Sequence, residues 1–167
     1  MNPLALDKII SGGQTGADRA ALDAALEAGF PCGGFCPKGR LAEDGVIDGC
    51  YPLEEIDGGY AQRTLMNVQA ADATVVFYSE ELTGGTLQTV SDCQLEMKPC
   101  LEIDITRLDD HAAMRTLEDF LHSREVRVLN VAGPRASGSP AIYSRVRSVM
   151  RGLMALQPEK AEEAKQG

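Results

Sequence analysis

The chain has 167 residues, 44% of them hydrophobic and 25% charged, which suits one globular domain able to bury a core and excludes a disordered or collagen-like chain. Its formal net charge of -9 at pH 7 repels polyphosphate backbones and anionic membranes, so neither nucleic acid nor a membrane is expected as a partner. The opening residues carry no basic segment with a long apolar stretch behind it, and the five cysteines (Cys32, Cys36, Cys50, Cys93, Cys100) form no even framework, so a cytoplasmic location with reduced, packing thiols is expected.

In chain order, Lys8 to Ser11 reads as a short strand running into Gly12-Gly13-Gln14-Thr15-Gly16, with a helix from about Ala17 to Ala28 behind it. Thr15 is placed to cap that helix with Asp18 completing a capping-box variant; Ala21, Leu22, Ala25 and Leu26 make its apolar face, and Gly29 stops it. Residues 30–59 are rich in Gly, Pro and charge and read as mostly loop, with at most a brief strand from Gly34 to Cys36. So long an irregular stretch inside one domain points to function. A helix from Tyr60 to about Ala71 follows, with Ala61, Leu65 and Val68 at helical spacing.

Thr74 to Tyr78 is apolar and β-branched without alternation, as for the central strand of a parallel sheet covered on both faces. Thr83-Gly84-Gly85-Thr86 leads into a helix to about Met97, with Leu87, Val90 and Met97 facing inward and Pro99 ending it. Leu101 to Ile105 alternates like a strand nearer an edge, and Asp109 or Asp110 caps a helix carrying Met114, Leu117, Phe120 and Leu121. A fifth strand, Val126 to Ala132, enters the loop Gly133 to Gly138. Ser139 then caps and Pro140 opens the last helix, with Ile142, Val146, Val149 and Leu153 on one face. Residues 1–156 are expected to form one α/β domain, a mainly parallel sheet with helices on both faces, and residues 157–167 a polar tail.

Three strand-to-helix junctions share one design: Ser11 to Gly16, Thr83 to Thr86, and Gly133 to Gly138. In a parallel sheet all lie at the carboxyl ends of the strands, where open α/β sheets bind ligands. Glycine lets backbone N–H groups approach an anion, and a helix start adds unpaired donors, so the candidates for holding phosphate are Gly12, Gly13, Gln14, Thr15, Gly16, Gly84, Gly85, Thr86, Gly133 and Ser137. Each loop alone also reads as an ordinary tight turn. None matches the dinucleotide or Walker A fingerprint. Arg19, Lys38, Arg40, Arg63 and Arg135 are the cations beside these loops, placed to admit one small anion to an acidic protein or simply solvated. Asp18, Glu43 and Asp44 are suited to bonding ribose hydroxyls, holding Mg²⁺, or acid–base work. No Ser-His-Asp order or G-x-S-x-G elbow supports a covalent hydrolase, and His111 and His122 lie far from the glycine loops.

The run ISGGQTGADRAAL from Ile10 to Leu22, then Cys36 to Arg40 with Ala42 to Gly45, then Arg63-Thr64 and Asn67-Val68, resembles the putative molybdenum carrier family, the circularly permuted YpsA-type branch of the SLOG superfamily. The resemblance covers roughly Ile9 to Met154. It implies a Rossmann-like fold, a homo-oligomer, and a nucleotide-type ligand or the molybdenum cofactor, a pterin bearing phosphate. Related lysine-decarboxylase-like LOG enzymes, which cleave ribose 5'-monophosphate from nucleotides, carry P-G-G-x-G-T-x-x-E. The similar segment here runs from Thr83 to Thr89, with Thr89 where that Glu stands. Gly133-Pro134-Arg135 resembles the opening strand-loop of unpermuted relatives, displaced toward the C-terminus. The expectation is a binding or carrier protein for a phosphate-bearing small molecule, with Arg19 and Lys38 neutralising the phosphate and Asp18 and Glu43 orienting polar groups. The alternatives are a phosphoribohydrolase-like enzyme on a nucleotide-derived substrate, with Asp18, Glu43 or Asp44 as acid or base, and a small-molecule sensor.

Overall fold

Apolar strand segments alternating with amphipathic ones fold here into helices on a sheet; the structure, a computed structural model, describes residues 3–157. Its elements are β1 (Lys8–Ile10), α1 (Ala17–Glu27), β2 (Cys32–Gly33), β3 (Phe35–Cys36), β4 (Leu41–Ala42), β5 (Gly45–Val46), β6 (Glu54–Glu55), α2 (Tyr60–Ala70), β7 (Ala73–Tyr78), α3 (Gly84–Leu95), β8 (Cys100–Asp104), α4 (Asp110–Arg124), β9 (Val128–Ala132) and α5 (Ile142–Ala155). The main sheet is parallel throughout, in the order β2-β1-β9-β7-β8. Its register sets Cys32, Ile9 and Leu129 side by side, and likewise Val131, Val75 and Leu101.

Strand alternation sends Ile9, Val75, Phe77, Leu129 and Val131 into one core with α1, α4 and α5. Side chains of this size contribute about 1.5–3 kcal/mol each when fully buried. α1 meets this core with alanines, Ala20, Ala21, Ala24 and Ala25, whose small size lets it lie close against α5. The alternate strand residues, Thr74, Val76 and Asn130, take the other face, which α2 and α3 cover with buried Val68 and Val90. Among the described residues no helix is long and apolar enough to cross a membrane.

The expected α/β architecture is present, with several local corrections. The middle strand is β9; β7 lies one place off centre, because an unalternated apolar run marks burial on both faces rather than a position in the sheet. The long loop contains five two-residue strands, one of which, β2, edges the main sheet while β3 pairs with β6 and β4 with β5. Gly84 and Gly85 already belong to α3, and that helix turns Thr86, Thr89, Val90 and Cys93 inward, leaving Leu87 and Met97 exposed. A 3.6-residue repeat of small residues sets the phase there, not the largest apolar ones. Thr15 does not cap α1, whose N-cap is Gly16; the threonine hydroxyl instead accepts from Ala136 N–H at 3.1 Å. α5 begins at Ile142 after a turn in which Ile142 N–H reaches Ser139 C=O, so Ser139 and Pro140 precede the helix. Asp109 does cap α4, accepting from Ala112 N–H at 2.8 Å, and Gly29 adopts the left-handed conformation of a helix stop. The expected tail begins at Gln157, and its residues 158–167 lie outside the described residues. Among the cysteines, Cys36 and Cys93 are buried, Cys32 and Cys100 half-buried and Cys50 exposed, all as free thiols.

Candidate functional site

β1 leads outward to β2 while β7 leads outward to β8 in the opposite direction, so the loops after the strands part above β9. Such a reversal opens a crevice at the carboxyl edge of a parallel sheet. A cleft of about 290 Å³ lies there, and all three glycine junctions reach it: Gly12, Gln14 and Asp18 from the first, Gly84, Gly85 and Thr86 from the second, Gly133 and Arg135 from the third. α2 adds Arg63, Thr64 and Asn67 along one wall, and Asn130 projects from β9 into the floor.

The first junction is packed by the protein itself. Asp18 is buried, and its Oδ2 accepts from Gln14 N–H at 3.3 Å and from Arg63 Nη1 at 3.1 Å, with the Gly12 amide on the same carboxylate. Gly13 N–H leans on Ser11 Oγ, and Thr15 N–H donates to Gln14 Oε1. Burial pushes the Asp18 carboxyl above its ordinary value, and Arg63 and the two amides pull against that. The Arg63 guanidinium lies flat on Gly12, where a Cβ would sit 1.8 Å from Nη1. Gly16 meets Pro134 C=O in the same way, at 2.4 Å from a would-be Cβ. These two glycines serve close packing of one junction on its neighbours.

The second junction is different. At Gly84 and Gly85 an added Cβ would meet nothing within 4 Å. Thr83 makes no side-chain cap, and among the described residues no acceptor meets the amides of Gly84, Gly85 or Thr86. A helix start leaves its first N–H groups without intrahelical partners and carries a partial positive charge. Arg63 and Gln14 also line the cleft, and among the described residues the buried Arg63 Nε and Gln14 Nε2 have no hydrogen-bond partner. The arrangement can receive an anion with several convergent donors.

The remaining candidates from the sequence do not line the cleft; they hold the long loop against it. Arg19 donates to Gly13 C=O at 3.0 Å and pairs with Asp44, and its hydrogen bond to Asp44 pulls that carboxyl down. Glu43 accepts from both the amide and the hydroxyl of Ser137, at 3.1 and 2.8 Å, while its own amide donates to Gln14 Oε1 at 2.9 Å. Desolvation works against the Glu43 carboxylate, yet the Ser137 bonds prevail and its pKa is lowered. Arg40 donates to the carbonyls of Ile47, Asp48, Tyr51 and Leu53 and is the organising centre of the loop. Lys38 is exposed and pairs at 3.4 Å with Asp57. Asp23 anchors the loop to α1 and α5 by accepting from the hydroxyls of Tyr51 and Tyr143, and desolvation with this bond pushes Tyr143 up to about 12. Among the described residues no group of three or more His, Cys, Asp or Glu is placed to hold a metal ion.

Sequence reasoning missed two asparagines as cleft residues. Asn67 pins β3 to α2 by pairing with both backbone groups of Phe35, at 2.9 and 3.0 Å. Asn130 is buried and donates to Thr74 Oγ1 at 3.3 Å. The signal for Asn130 was present: a lone amide inside the apolar run VLNVA must find a partner or a cavity.

Comparison with known proteins identifies the family. Residues 9–154 match the model of the circularly permutated YpsA SLOG family. The chain belongs to that family. Among solved structures, this SLOG-family chain is similar to a protein of Syntrophus aciditrophicus SB described as "Putative molybdenum carrier protein", with 41% sequence identity, a TM-score of 0.89, and coverage of 91% of this chain and 97% of that one. No curated protein matches the chain.

Proposed function

We propose that the chain is a cytoplasmic binding or carrier protein for a small phosphate-bearing molecule, of the molybdenum-cofactor or nucleotide type, and that it works as a homo-oligomer. The observation that carries this reading is the uncovered start of α3, with Gly84 and Gly85 free of protein neighbours and the amides of Gly84 to Thr86 without acceptors. These amides and the Thr86 hydroxyl take the phosphate. Arg63 and Arg135 supply the positive charge from the opposite wall, a role in which they replace the outlying Arg19 and Lys38. Gln14, Asn67 and Asn130 offer amide groups to the polar edge of the attached ring. Asp18 holds Arg63 in place, while Glu43 and Ser137 fix the third junction behind it. The volume is at the small end of ordinary small-molecule sites, which suits one mononucleotide or pterin rather than a dinucleotide. The name carried by the Syntrophus protein agrees with a carried ligand.

An enzyme reading rests on one observation, the buried Asp18 carboxyl at the cleft whose pKa burial raises; buried, shifted carboxyls are the kind that serve as proton carriers in active sites. Thr89, where the related LOG enzymes have a glutamate, lines the cleft but brings no carboxylate to it, and its hydroxyl donates back to Gly85 C=O at 2.9 Å. Titration calorimetry with inorganic phosphate and with AMP, beside a mass-spectrometric search for a co-purified molecule, tests the binding reading. Saturable binding lost in Gly85→Asp supports it; absence of binding to either probe, with no co-purified molecule, or binding unchanged in Gly85→Asp, overturns it. Turnover of AMP would transfer the weight to the enzyme reading.

A further inference from the structure

Two of the five cysteines are placed differently from the rest. The register of β7 with β8 sets Cys100, the first residue of edge strand β8, beside Thr74, and residues so paired point to the same face of a sheet. That face is the one α3 covers, and the last turn of α3 buries Cys93 against it. Lys98 N–H donates back to Cys93 C=O at 2.9 Å and Thr74 N–H donates to Pro99 C=O at 3.0 Å, so the short link between the two cysteines is held at both ends. Within it the Cys93 and Cys100 thiols hydrogen-bond to each other. Cys93 is fully buried, whereas Cys100 is half-buried at the sheet edge and reachable from solvent. Among the described residues Cys32, Cys36 and Cys50 have no thiol partner. A polar path joins the pair to the cleft: the Thr74 hydroxyl bonds Cys93 and accepts from Asn130 Nδ2 at 3.3 Å, and Asn130 lines the cleft floor.

We propose that Cys93 and Cys100 are a redox-active dithiol, closed to an intrachain disulfide by low-molecular-weight disulfides and reopened by small thiols, and that its state reaches the cleft floor through Thr74 and Asn130. The accessible Cys100 sulfur gives up its proton and attacks one sulfur of the small disulfide. That S–S bond breaks, and one small thiol leaves carrying the proton. Cys93 then gives up its proton and attacks Cys100 in the mixed disulfide, and a second small thiol leaves with that proton. Two electrons pass from the pair to the small disulfide, which is reduced to two thiols. Thiols already in hydrogen-bond contact have only the gap between that contact and a covalent length of about 2.0 Å to close. The oxidised pair has no hydrogen left to share, and its sulfurs accept weakly. Thr74 is thereby released from Cys93, and the Asn130 amide bonded to it must readjust. The redox site depends on no ligand, so it is independent of the phosphate reading.

Oxidised glutathione, added to the full reduced chain, tests it. Peptide mapping by mass spectrometry without reduction is expected to find Cys93 joined to Cys100 in most molecules, and dithiothreitol to open the bond. Cys50, exposed and without a thiol partner, is expected to carry a glutathione adduct and no cross-link. In Cys93→Ser the adduct should remain on Cys100, because the sulfur that would displace it is gone; in Cys100→Ser the buried Cys93 should stay free. Melting curves establish that both variants are folded, and the mapping of the wild type needs neither. By NMR the Asn130 side-chain amide signals should shift when the wild type is oxidised and hold still in Cys100→Ser treated alike. Cys93 and Cys100 remaining free in the wild type, or joined to other cysteines, overturns the redox site. A Cys93–Cys100 bond that leaves the Asn130 signals in place overturns its connection to the cleft.

Discussion

Arg63 Nη1 donates to Asp18 Oδ2 across 3.1 Å with both side chains buried, and the same guanidinium covers Gly12. One arginine thus joins α2 to the first glycine junction and lines the cleft as well. Removing one partner of a buried pair costs about 3–5 kcal/mol because the other charge is left without compensation. Arg63→Met is expected to destabilise by that order in urea unfolding. It should also move the Asp18 titration midpoint further up in a carbon-detected NMR titration, since burial already raises it and Arg63 is the main opposing influence. An unmoved midpoint would show that the pair does not hold in solution.

Gly85 and Gly12 make a matched pair of substitutions. Gly85→Ala meets no protein atom within 4 Å and lies inside α3, so alanine's better helix propensity should raise stability by about 0.5–1 kcal/mol. In the proposed binding mode the same methyl group stands where phosphate approaches, so binding of AMP should weaken by about tenfold, on the order of 1.4 kcal/mol. Gly12→Ala drives a Cβ into the Arg63 guanidinium and is expected to lose about 1–3 kcal/mol of stability through overpacking. Parallel melting and calorimetric measurements on both variants check the contrast.

Arg40 bonds four carbonyl groups of the loop that follows it. Lysine has one nitrogen in place of a planar fork and cannot reproduce that pattern. Arg40→Lys is expected to cost about 2–3 kcal/mol, in the range of hydrogen bonds to a charged donor. Hydrogen exchange should quicken across residues 41–53 and stay unchanged in β7 and β9. Unaltered protection in the loop would count against its role as organiser.

Glu43 supplies a pH signature. Its pKa is lowered in the fold from a reference of 4.5, so the folded state binds a proton on it less readily than the unfolded chain does. Such a group adds stability above the unfolded value, and the gain is lost as pH falls through the lower, folded pKa. Ser137→Ala removes both the hydroxyl donor and much of the lowering. The stability difference between wild type and Ser137→Ala is expected to be largest near neutrality and to shrink as pH drops below about 4.5; a difference that grows toward acid would reverse the assignment.

The elements with strong periodic or capping signals were legible in the sequence. The apolar run of β7, the alternation of β8, the Asp109 cap and the single buried face of α5 with Ile142, Val146, Val149 and Leu153 all lie within a residue or two of their expected places. What escaped was long-range. β2 and the pairing of β3 with β6 are two-residue segments whose partners lie far along the chain, and local pattern carries no trace of such pairing. In the site, the repeated glycine junctions pointed to one rim, and nine of the candidate residues line one cleft. The division between glycines that pack and glycines that stay open was not readable, because a glycine looks the same in sequence whether an arginine or empty space lies over it. Arg19, Arg40 and Glu43 carry the chemistry expected of ligand contacts but satisfy the protein's own carbonyls, carboxylates and hydroxyls instead.

The pairing of β1 with β9 bears on how the molecule is made. Ile9 sits beside Leu129 in the sheet, so a nascent chain emerging from the ribosome holds β1 unmatched on one edge until β9 has been translated. Contacts of such wide sequence separation form slowly. If the cleft takes phosphate as proposed, synthesis stalled ahead of β9 should yield a product with no affinity for it, because the third glycine junction is then missing.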